Sequence, residues 1–348
     1  MSDLEKRFKR YSQTDQRVPA MQATARAHSN IALIKYWGKR DEERVLPYNN
    51  SLSVTLDQLY SETTVRFNPD LQSDVFILNG QPGTEHDQMK VTNFLNHIRD
   101  LANVNDYAVV TSNNHVPTAQ GLASSASGFA ALATAAATAL NLGLNAQQLS
   151  RIARQGSGSA CRSIYDGFVE WVKGERTDGH DSYAVPIAGQ NHWDIRLLIA
   201  VVSSRQKSVS SRDGMRRTVK TSVFYSSWLA TVEKDLDEMR RAIASCKFED
   251  LGLIAEANAL KMHATTLGAD PPFCYWNEAT LTVMNQVREL RASGIPAYFT
   301  IDAGPNVVVL CEPSFTPVIQ ELLLRLRSVQ KVIECRPGPG VTVVRGEH

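Results

Sequence analysis

Apolar and polar residues alternate in short runs through the first half of the chain, as they do in half-buried β-strands. SLSVTL at 51–56 and YAVVTSNN at 107–114 follow this period of two. Two further segments have helical spacing, KVTNFLNHIRDLA at 90–102 and NAQQLSRIARQ at 145–155. Asn145 is the predicted N-cap of the second helix, because its side chain can accept a backbone N–H. The pattern predicts a strand-rich N-terminal half.

The pattern changes at about residue 215 to longer segments with helical spacing. These segments are FYSSWLATVEKDLDEMRRAIAS, FEDLGLIAEANALKMHATTL and YWNEATLTVMNQVRELRAS. The strands AYFTIDA, NVVVLCE and GVTVV follow, together with one more helix around TPVIQELLLRLRS. We therefore place a soft boundary near residue 200, between one domain at 21–200 and a second at 201–348.

Two segments raise the question of targeting or membrane insertion. Residues 1–20 are polar and lack the apolar core of a signal peptide, so we expect a flexible N-terminal extension. The stretch 119–144 has a membrane-like composition, but it is rich in Ala, Ser and Thr and is interrupted by Gly. A buried helix is expected there rather than a membrane span.

Composition and charge narrow the classes of partner. Of the 348 residues, 43% are apolar and 21% are charged, as in ordinary globular proteins. Lys and Arg total 37 against 36 Asp and Glu, so no overall field favours nucleic acid or an acidic membrane as a partner. The five cysteines form no C-x-x-C pair, which argues against structural zinc and disulfides and favours a reducing cytoplasm. Any anion must therefore be bound by a local cluster.

The string GLASSASG at 121–128 is the first candidate anion site, because it precedes an alanine-rich helix. Its tight turns can direct several N–H groups, and the positive end of the helix, at one phosphate. The serine hydroxyls can help to hold a hydrated magnesium ion. A loop of small residues that permits close helix packing explains the same string equally well. A P-loop lysine motif is absent, and GSGSAC lacks the third glycine of a dinucleotide fingerprint.

Three further clusters combine cations with hydroxyl groups or aromatic rings. NIALIKYWGKRD at 30–41 places two lysines and an arginine around Tyr36 and Trp37. SGSACRS at 157–163 contains an arginine, whose planar guanidinium can bind a carboxylate or a phosphate. KSVSSRDGM at 207–215 repeats the combination. Solvated surface charge explains any one of these clusters, but four in a chain of near-zero net charge indicate a site for a polyanionic small molecule.

Asp302 stands out in the segment YFTIDAGPNVVVL, where it follows an apolar strand and precedes a sharp turn. A carboxylate at the end of a buried strand is costly unless it is paired or catalytic. An aspartate that caps a turn before Gly and Pro is also common. The local pattern leaves both interpretations open.

These segments together resemble a known family. The loop PTAQGLASSASG is similar to the phosphate loop of the superfamily of galactokinase, homoserine kinase, mevalonate kinase and phosphomevalonate kinase. NIALIKYWGKRD, SGSACRS, VSSRDGM, MHATT and FTIDAGPNV, in this order, resemble the diphosphomevalonate decarboxylases from about Ala25 to Val309. The resemblance implies an α+β, two-lobed small-molecule-kinase-like fold. Its N-terminal domain would be strand-rich and its C-terminal domain ferredoxin-like, with the active site in the cleft.

The resemblance also implies a reaction and its partners. The reaction would be ATP-dependent decarboxylation of (R)-5-diphosphomevalonate to isopentenyl diphosphate, CO₂, ADP and phosphate, in the mevalonate pathway of isoprenoid biosynthesis. ATP and Mg²⁺ would be required, and neither nucleic acid nor a membrane would be a partner. Members of the family often form dimers, so the resemblance favours a homodimer. The widely spaced cysteines favour a location in the cytoplasm.

The resemblance also implies which residues form the active site. Asp302 would orient the substrate hydroxyl and accept its proton, with Lys35 beside it and Arg162 on the substrate carboxylate. The residues implied for substrate binding are Tyr36, Trp37, Gly38, Lys39, Ser157, Gly158, Ser159, Ala160, Cys161, Arg162, Ser211 and Arg212. The residues implied for ATP are Ser112, Gly121, Leu122, Ala123, Ser124, Ser125, Ala126 and Ser127. One of the last three serines would reach Mg²⁺ through the nucleotide, without a dedicated protein metal site.

Three alternatives remain open at this point. A sister enzyme would act on mevalonate 5-phosphate or would be a mevalonate-type kinase, and an ordinary small-molecule kinase is more distant. A protein of another class would bind phosphometabolites without catalysis, which predicts the loss of a carboxylate such as Asp302. His263 and Cys161 are expected to be structural.

Overall fold

The computed structural model describes residues 21–115, 124–202 and 208–344. The predicted extension at 1–20 and the phosphate-loop residues Gly121, Leu122 and Ala123 lie outside the described residues, as does Lys207. The strands are β1 (Met21–Ile34), β2 (Lys39–Asp41), β3 (Leu46–Pro47), β4 (Ser51–Asn68), β5 (Val75–Leu78), β6 (Gln81–Pro82), β7 (Tyr107–His115), β8 (Phe168–Trp171), β9 (Ala184–Ala188), β10 (Arg196–Val201), β11 (Ala297–Ile301), β12 (Val307–Cys311), β13 (Lys331–Cys335) and β14 (Thr342–Val344). The α-helices are α1 (Glu85–Ala102), α2 (Ser124–Ala139), α3 (Ala146–Gly156), α4 (Ser211–Thr221), α5 (Tyr225–Ala244), α6 (Phe248–Leu267), α7 (Glu278–Ala292) and α8 (Thr316–Arg325), with 3-10 turns at Gly158–Ile164 and Pro313–Phe315.

Within the described residues the first sheet contains eight strands, and its main path runs in the order β14-β1-β4-β7-β5-β6, with β8 attached to β4 and β9 attached to β8. The long strand β4 alternates buried and partly exposed residues toward its C-terminal end, as a strand with one covered face should. The covered face packs against α1, α2 and α3. Helix α2 is built largely of alanine, and most of its alanines are fully buried, so it can approach the sheet closely.

The second sheet is antiparallel, with the strand order β11-β12-β10-β13. Alternate residues of β10 point to opposite faces: Leu198 and Ala200 pack with α7 and α8, whereas Leu197 and Ile199 pack with α5 and α6. Each of the two sheets packs against α-helices within one structure. The predicted α+β class is therefore confirmed.

A shared hydrophobic core joins the two sheets. Leu33 and Leu52 of the first sheet pack in the same cluster as Leu197 of the second. All of β10 pairs within the second sheet, although the boundary predicted at residue 200 falls inside it. The C-terminal strand β14 returns to the first sheet, where Ala25 pairs with Val343. The division of the chain at residue 200 stays a prediction.

The segment 119–144 was expected to be a buried helix rather than a membrane span. Within the parts of the chain that the structure describes, no helix is both long and apolar enough to cross a membrane.

Candidate active site

Lys35 and Asp302 meet where the two lobes join. Lys35 is the first residue after β1, and Asp302 is the first residue after β11. The Lys35 Nζ lies 2.5 Å from Asp302 Oδ1 and donates a second hydrogen bond of 2.9 Å to the carbonyl of Ala32. The lysine side chain is 2% exposed and the aspartate side chain 43% exposed, so the carboxylate faces the open side of the pair. Burial lowers the pKa of Lys35, and the Asp302 carboxylate opposes that shift.

Arg162 lies on the 3-10 turn Gly158–Ile164, near enough to Lys35 and Asp302 to interact with both electrostatically. Its guanidinium donates hydrogen bonds to the hydroxyls of Ser53 (2.8 Å) and Ser51 (2.6 Å) and to the Asn30 side-chain oxygen (3.2 Å). These three partners are neutral, and the arginine is 2% exposed. Burial lowers the pKa of Arg162. A buried cation held by neutral groups favours an anionic ligand at its free side.

The aromatic residues after Lys35 shape the wall of the site. The Tyr36 ring meets Trp171 edge-on at 4.6 Å, and its hydroxyl is buried without a hydrogen-bond partner among the described residues. Burial raises the pKa of Tyr36. Trp37 is buried against Tyr275, with ring centroids 6.0 Å apart. The Tyr36 hydroxyl and the Trp37 indole N–H, which is also buried without a partner among the described residues, are therefore polar groups of this wall that a ligand could satisfy.

Gly38 allows a close approach between the lobes. Its φ of +99° lies in the region that favours glycine, and a Cβ there would be 2.1 Å from the Tyr225 hydroxyl oxygen. That hydroxyl donates a 2.9 Å hydrogen bond to the carbonyl of Trp37. The chain can turn from the aromatic wall toward Lys39 only because no side chain stands here.

The segment from Ser157 to Cys161 turns close to this wall. A Cβ on Gly158 would lie 2.8 Å from the Trp171 ring and 2.9 Å from the Tyr36 ring. The Ser157 hydroxyl donates to the Ser125 hydroxyl at 3.3 Å, and the Ser159 carbonyl accepts from Asn30 at 3.0 Å. This segment therefore connects the aromatic wall to the start of α2.

Ala160 and Cys161 are fully buried next to Arg162. The Cys161 thiol donates to the Gly158 carbonyl at 3.0 Å, and burial raises its pKa to about 12. A thiol in this state is a poor nucleophile. Its environment is that of a packed structural residue, as expected from the sequence.

A basic cluster, Lys39 and Arg212, follows the aromatic wall beyond Gly38. The Lys39 Nζ is 2.6 Å from Glu42 Oε2, and the lysine is 9% exposed. Burial lowers the pKa of Lys39, its contact with Glu42 opposes the shift, and the nearby Arg212 adds to it. Ser211 and Arg212 begin α4, whose N-cap Ser210 accepts the Asp213 N–H. Arg212 is exposed, so this part of the cluster is open to a ligand.

The serines implied for ATP binding have different surroundings. Helix α2 begins at Ser124, and Ser125 is exposed. Ala126 and Ser127 are fully buried, and the Ser127 hydroxyl contacts those of Ser29 (3.2 Å) and Ser61 (2.8 Å). Ser127 therefore faces the sheet, whereas Ser125 faces the region of Ser157.

A cavity of about 180 Å³ opens beside Ser125. Ser112 lines it, and its hydroxyl lies 2.9 Å from that of Thr63. The rest of its wall is mostly apolar and comes from β5, β7, α1 and α2, including Phe76, Val110 and Phe129. A cavity with an apolar wall and a few polar groups has the character of a site for a flat organic ring.

His263 lies on α6 behind the strand that carries Asp302. Its Nε2 is 3.2 Å from the Ile301 carbonyl, and its Nδ1 is buried without a partner among the described residues. Burial lowers the pKa of His263 to about 4, and the nearby Lys35 amine contributes to the shift. A neutral, buried imidazole in this position supports the strand β11.

Family models match most of the chain and divide it in two. Residues 27–184 match a diphosphomevalonate decarboxylase-like N-terminal domain, and residues 197–339 match a mevalonate 5-diphosphate decarboxylase C-terminal domain.

The chain belongs to the diphosphomevalonate decarboxylase family.

Individual relatives support this membership of the diphosphomevalonate decarboxylase family. The diphosphomevalonate decarboxylase of Ganoderma lucidum is 41% identical over 326 residues, covering 87% of this chain and 82% of that protein. A mevalonate diphosphate decarboxylase structure from Enterococcus faecalis is 50% identical, with a TM-score of 0.88 over 94% of this chain and all of that one. A complex of MDDEF with MVAPP, AMPPCP and magnesium has a TM-score of 0.89, 50% identity and the same coverage. The predicted two-lobed kinase-like fold is confirmed.

Several residues of this decarboxylase site were not singled out from the sequence. Asn30, Ser51 and Ser53 hold Arg162, and Asn49 and Asn258 hold the backbone of Lys35. Asn30 stands at the first position of the NIALIKYWGKRD motif, which is the one signal that could have indicated it. Ser51, Ser53 and Asn258 lie in ordinary strand and helix patterns and Asn49 in the bend before β4, and nothing local distinguishes an amide or hydroxyl that serves a distant partner.

Proposed function

We propose that this protein catalyses the ATP-dependent decarboxylation of (R)-5-diphosphomevalonate to isopentenyl diphosphate, CO₂, ADP and phosphate. Decarboxylation of mevalonate diphosphate is the activity for which the matching family is named. The observation that carries the proposal is the contact between Lys35 and Asp302 near the buried cation of Arg162. This places the protein in the mevalonate pathway of isoprenoid biosynthesis.

The first step is phosphorylation of the substrate's tertiary hydroxyl, which is otherwise a poor leaving group. We assign the proton of that hydroxyl to the Asp302 carboxylate, whose exposed oxygen can meet it. Lys35 neutralises charge beside the transferred phosphoryl group, and its carboxylate partner favours the charged amine. Phosphoryl transfer depends mainly on such positioning and charge neutralisation.

The second step releases phosphate and CO₂ from the phosphorylated intermediate. The C–O bond to phosphate breaks, positive charge develops at the tertiary carbon, and the electrons of the C–C bond to the carboxylate form the double bond. We assign the carboxylate to Arg162, because its guanidinium is already held by Ser51, Ser53 and Asn30. A planar guanidinium can fix a carboxylate through two hydrogen bonds.

We assign the diphosphate of the substrate to the cluster around the aromatic wall. Lys39 and Arg212 would supply charge, and the unpartnered hydroxyl of Tyr36 would supply a hydrogen bond. Ser157, Ser159 and Ser211 lie on the segments next to this cluster and would offer hydroxyl groups. The buried residues that would pack around the diphosphate site are Trp37, Gly38, Gly158, Ala160 and Cys161.

We assign the nucleotide to the start of α2 and the cavity beside Ser112. The described residues contain no group of three His, Cys, Asp or Glu side chains placed to hold a metal ion. The donors present at the helix start are hydroxyls such as that of Ser125, which fits a magnesium ion that reaches the protein on ATP and keeps several waters. When bound, magnesium would neutralise charge on the β- and γ-phosphates.

The decisive experiment is to incubate the purified protein with Mg-ATP and either mevalonate 5-diphosphate or mevalonate 5-phosphate, measuring CO₂ and ADP together. The proposal expects equal amounts of CO₂ and ADP with the diphosphate and little of either with the monophosphate. ADP without CO₂ would indicate a mevalonate-type kinase, and turnover of the monophosphate would indicate the sister decarboxylase. Binding of both ligands with no product would indicate a phosphometabolite-binding protein.

We also propose a cytoplasmic location and a homodimer. The five cysteines are all free, which supports a reducing compartment. The homodimer rests on the resemblance to the family, and sedimentation of the purified protein would test it.

A further inference from the structure

Both backbone polar groups of Lys35 lie beyond the strand ladder. β1 ends at Ile34, which still pairs with Leu52, and the buried Lys35 has no strand partner among the residues that the structure describes. Buried N–H and C=O groups need hydrogen bonds from another source. Two buried asparagines provide them: Asn258 Oδ1 accepts the Lys35 N–H at 2.8 Å, and Asn49 Nδ2 donates to the Lys35 carbonyl at 2.9 Å.

Asn258 is itself fixed from the other side. It is fully buried on α6, and its Nδ2 donates a 2.7 Å hydrogen bond to Asp235 Oδ2 on α5. The Asp235 carboxylate also accepts the Lys261 amine at 2.5 and 2.8 Å. Because a carboxylate can only accept, the Asn258 amide has one allowed orientation, with its oxygen directed at Lys35. A continuous chain of hydrogen bonds thus runs from the α5–α6 pair to the lysine of the active site.

We propose that Asn258 is a positioning residue for the reaction, oriented by the Asp235–Lys261 pair and setting where Lys35 meets Asp302. The inference rests on the proposed function, since it takes Lys35 as the cation of phosphoryl transfer. Asn258 acts on the backbone of Lys35 and touches neither substrate. Its loss therefore changes the rate of the chemical step more than the binding of either substrate.

Asn258→Asp is the first variant. The new carboxylate at position 258 faces that of Asp235, and the repulsion between them displaces the group that holds Lys35. We expect kcat to fall on the order of 10²-fold, the size associated with small misplacement of a catalytic group. The KM values for diphosphomevalonate and ATP should change less than about threefold, because the phosphate-binding residues are untouched.

The double variant Asn258→Asp with Asp235→Asn restores the hydrogen bond between positions 258 and 235 with its polarity exchanged, and keeps one of the two contacts with Lys261. The carboxylate at position 258 accepts from the Lys35 N–H and from the amide at position 235, whose oxygen accepts from Lys261. We expect kcat to return to within about fivefold of the parent, as a double-mutant cycle reports when two residues act as a unit. A double variant no better than Asn258→Asp alone would overturn the proposal, as would an unchanged kcat in Asn258→Asp.

Glu256→Gln is the matched control. Glu256 lies two residues earlier on α6, is also buried, and accepts two hydrogen bonds of 3.0 Å from Arg291. The substitution weakens a buried ion pair on the same helix without touching Lys35. We expect a lower melting temperature with kcat within about threefold of the parent. If kcat fell in this variant as it does in Asn258→Asp, general loosening of α6 would explain both, and the positioning role would be wrong.

Hydrogen exchange of the Lys35 amide gives a readout that does not depend on activity. Mass spectrometry of a peptide that spans 33–37 should show faster exchange in Asn258→Asp, the parent rate in the double variant, and the parent rate in Glu256→Gln. If the parent protein released no CO₂, the proposed function would fail, while the exchange pattern would still decide whether Asn258 holds Lys35. Exchange that is unchanged in Asn258→Asp would refute the inference alone.

Discussion

The amine of Lys39 lies 2.6 Å from the carboxylate of Glu42, three residues further along the chain. A cation proposed to hold the substrate diphosphate is thus neutralised by a carboxylate of its own loop. The phosphate group must displace Glu42, or share Lys39 with it, and the contact opposes binding. The Glu42 side chain is 43% exposed, so water screens it and the effect is moderate.

Glu42→Gln is therefore expected to lower the KM for diphosphomevalonate by roughly two- to fivefold. The KM for ATP should not move, because the contact lies on the diphosphate side of the site. Steady-state kinetics with each substrate varied in turn would measure this. Glu43→Gln, a neighbouring exposed carboxylate, is the control and should leave both values unchanged. A higher KM for diphosphomevalonate in Glu42→Gln would contradict the prediction.

Arg212→Ala is expected to raise the KM for diphosphomevalonate much more than the KM for ATP. One charge-assisted hydrogen bond to a phosphate contributes about 1.5–3 kcal/mol, or roughly 10- to 150-fold in affinity. Lys220→Ala removes an exposed cation from the same helix, α4, and is the control. If the KM for ATP were the value that rose, Arg212 would belong to the nucleotide side of the site.

Asp302→Asn is expected to lower kcat by roughly 10²–10⁴-fold, the loss associated with a missing general base. Substrate and ATP affinities, measured by calorimetry, should change little. Asp250→Asn replaces an exposed carboxylate and should retain full activity. A variant at position 302 that still turned over within tenfold of the parent would show that this aspartate only caps the turn.

The structure also predicts a lower melting temperature for Asp302→Asn. Lys35 is buried and loses its carboxylate partner in this variant, which leaves a buried charge uncompensated. Differential scanning calorimetry of the variant and of Asp250→Asn would separate this effect from a general loss of charge. A higher melting temperature at position 302 would mean that the pair is strained rather than stabilising.

His263 is expected to make the protein acid-sensitive. Its pKa is about 4 in the folded protein against 6.5 in the unfolded chain, so the unfolded state binds more protons between these values. The contribution to stability is complete above pH 6.5 and is lost as the pH falls toward 4, by at most about 1.4 kcal/mol per pH unit.

Urea unfolding at several pH values between 7 and 4.5 would measure this loss. His263→Gln removes the titrating group, so its free energy of unfolding should fall less steeply with acidity than that of the parent. The exposed His86→Gln is the control and should keep the parent slope. Parallel slopes for the parent and His263→Gln would rule out His263 as the source of acid sensitivity.

Gly38→Ala is expected to destabilise the protein more than Gly80→Ala. Both glycines have positive φ, +99° and +74°, so both substitutions strain the backbone by about 1–2 kcal/mol. Only the Cβ at position 38 meets a neighbour, the Tyr225 hydroxyl, whereas nothing lies within 4 Å of one at position 80. Chemical denaturation of the two variants isolates the cost of the contact between the lobes. Equal losses of stability in the two variants would show that the segment at Gly38 can move away from Tyr225 at no cost.

Local periodicity in the sequence was sufficient to predict the helices and strands that carry the site. Asn145 caps its helix as predicted, with Gln148 completing a capping box. The segment predicted as a helix at 248–267 is α6, and Asp302 follows the strand β11 that its apolar residues indicated. These features depend on neighbours within a few residues, which is the range that a sequence pattern reports.

The long-range partners could not be predicted in the same way. Lys35 and Asn258 are 223 residues apart, and nothing around either residue indicates the other. The strand GVTVV falls in the predicted C-terminal domain, 201–348, but its last residues pair with β1 in the first sheet. Such pairings follow from the closure of the whole fold, because hydrophobic spacing specifies a face of a strand and not its neighbour.

The pairing of β14 with β1 has a consequence for synthesis on the ribosome. β1 is among the first described strands to be made, yet the neighbour that covers its edge at Thr24–Arg26 comes only with residues 342–344. Until residues 342–344 have been made, this edge presents unpaired N–H and C=O groups to any other strand in reach. The edge of β1 is therefore open to mispairing for as long as β14 is still inside the exit tunnel.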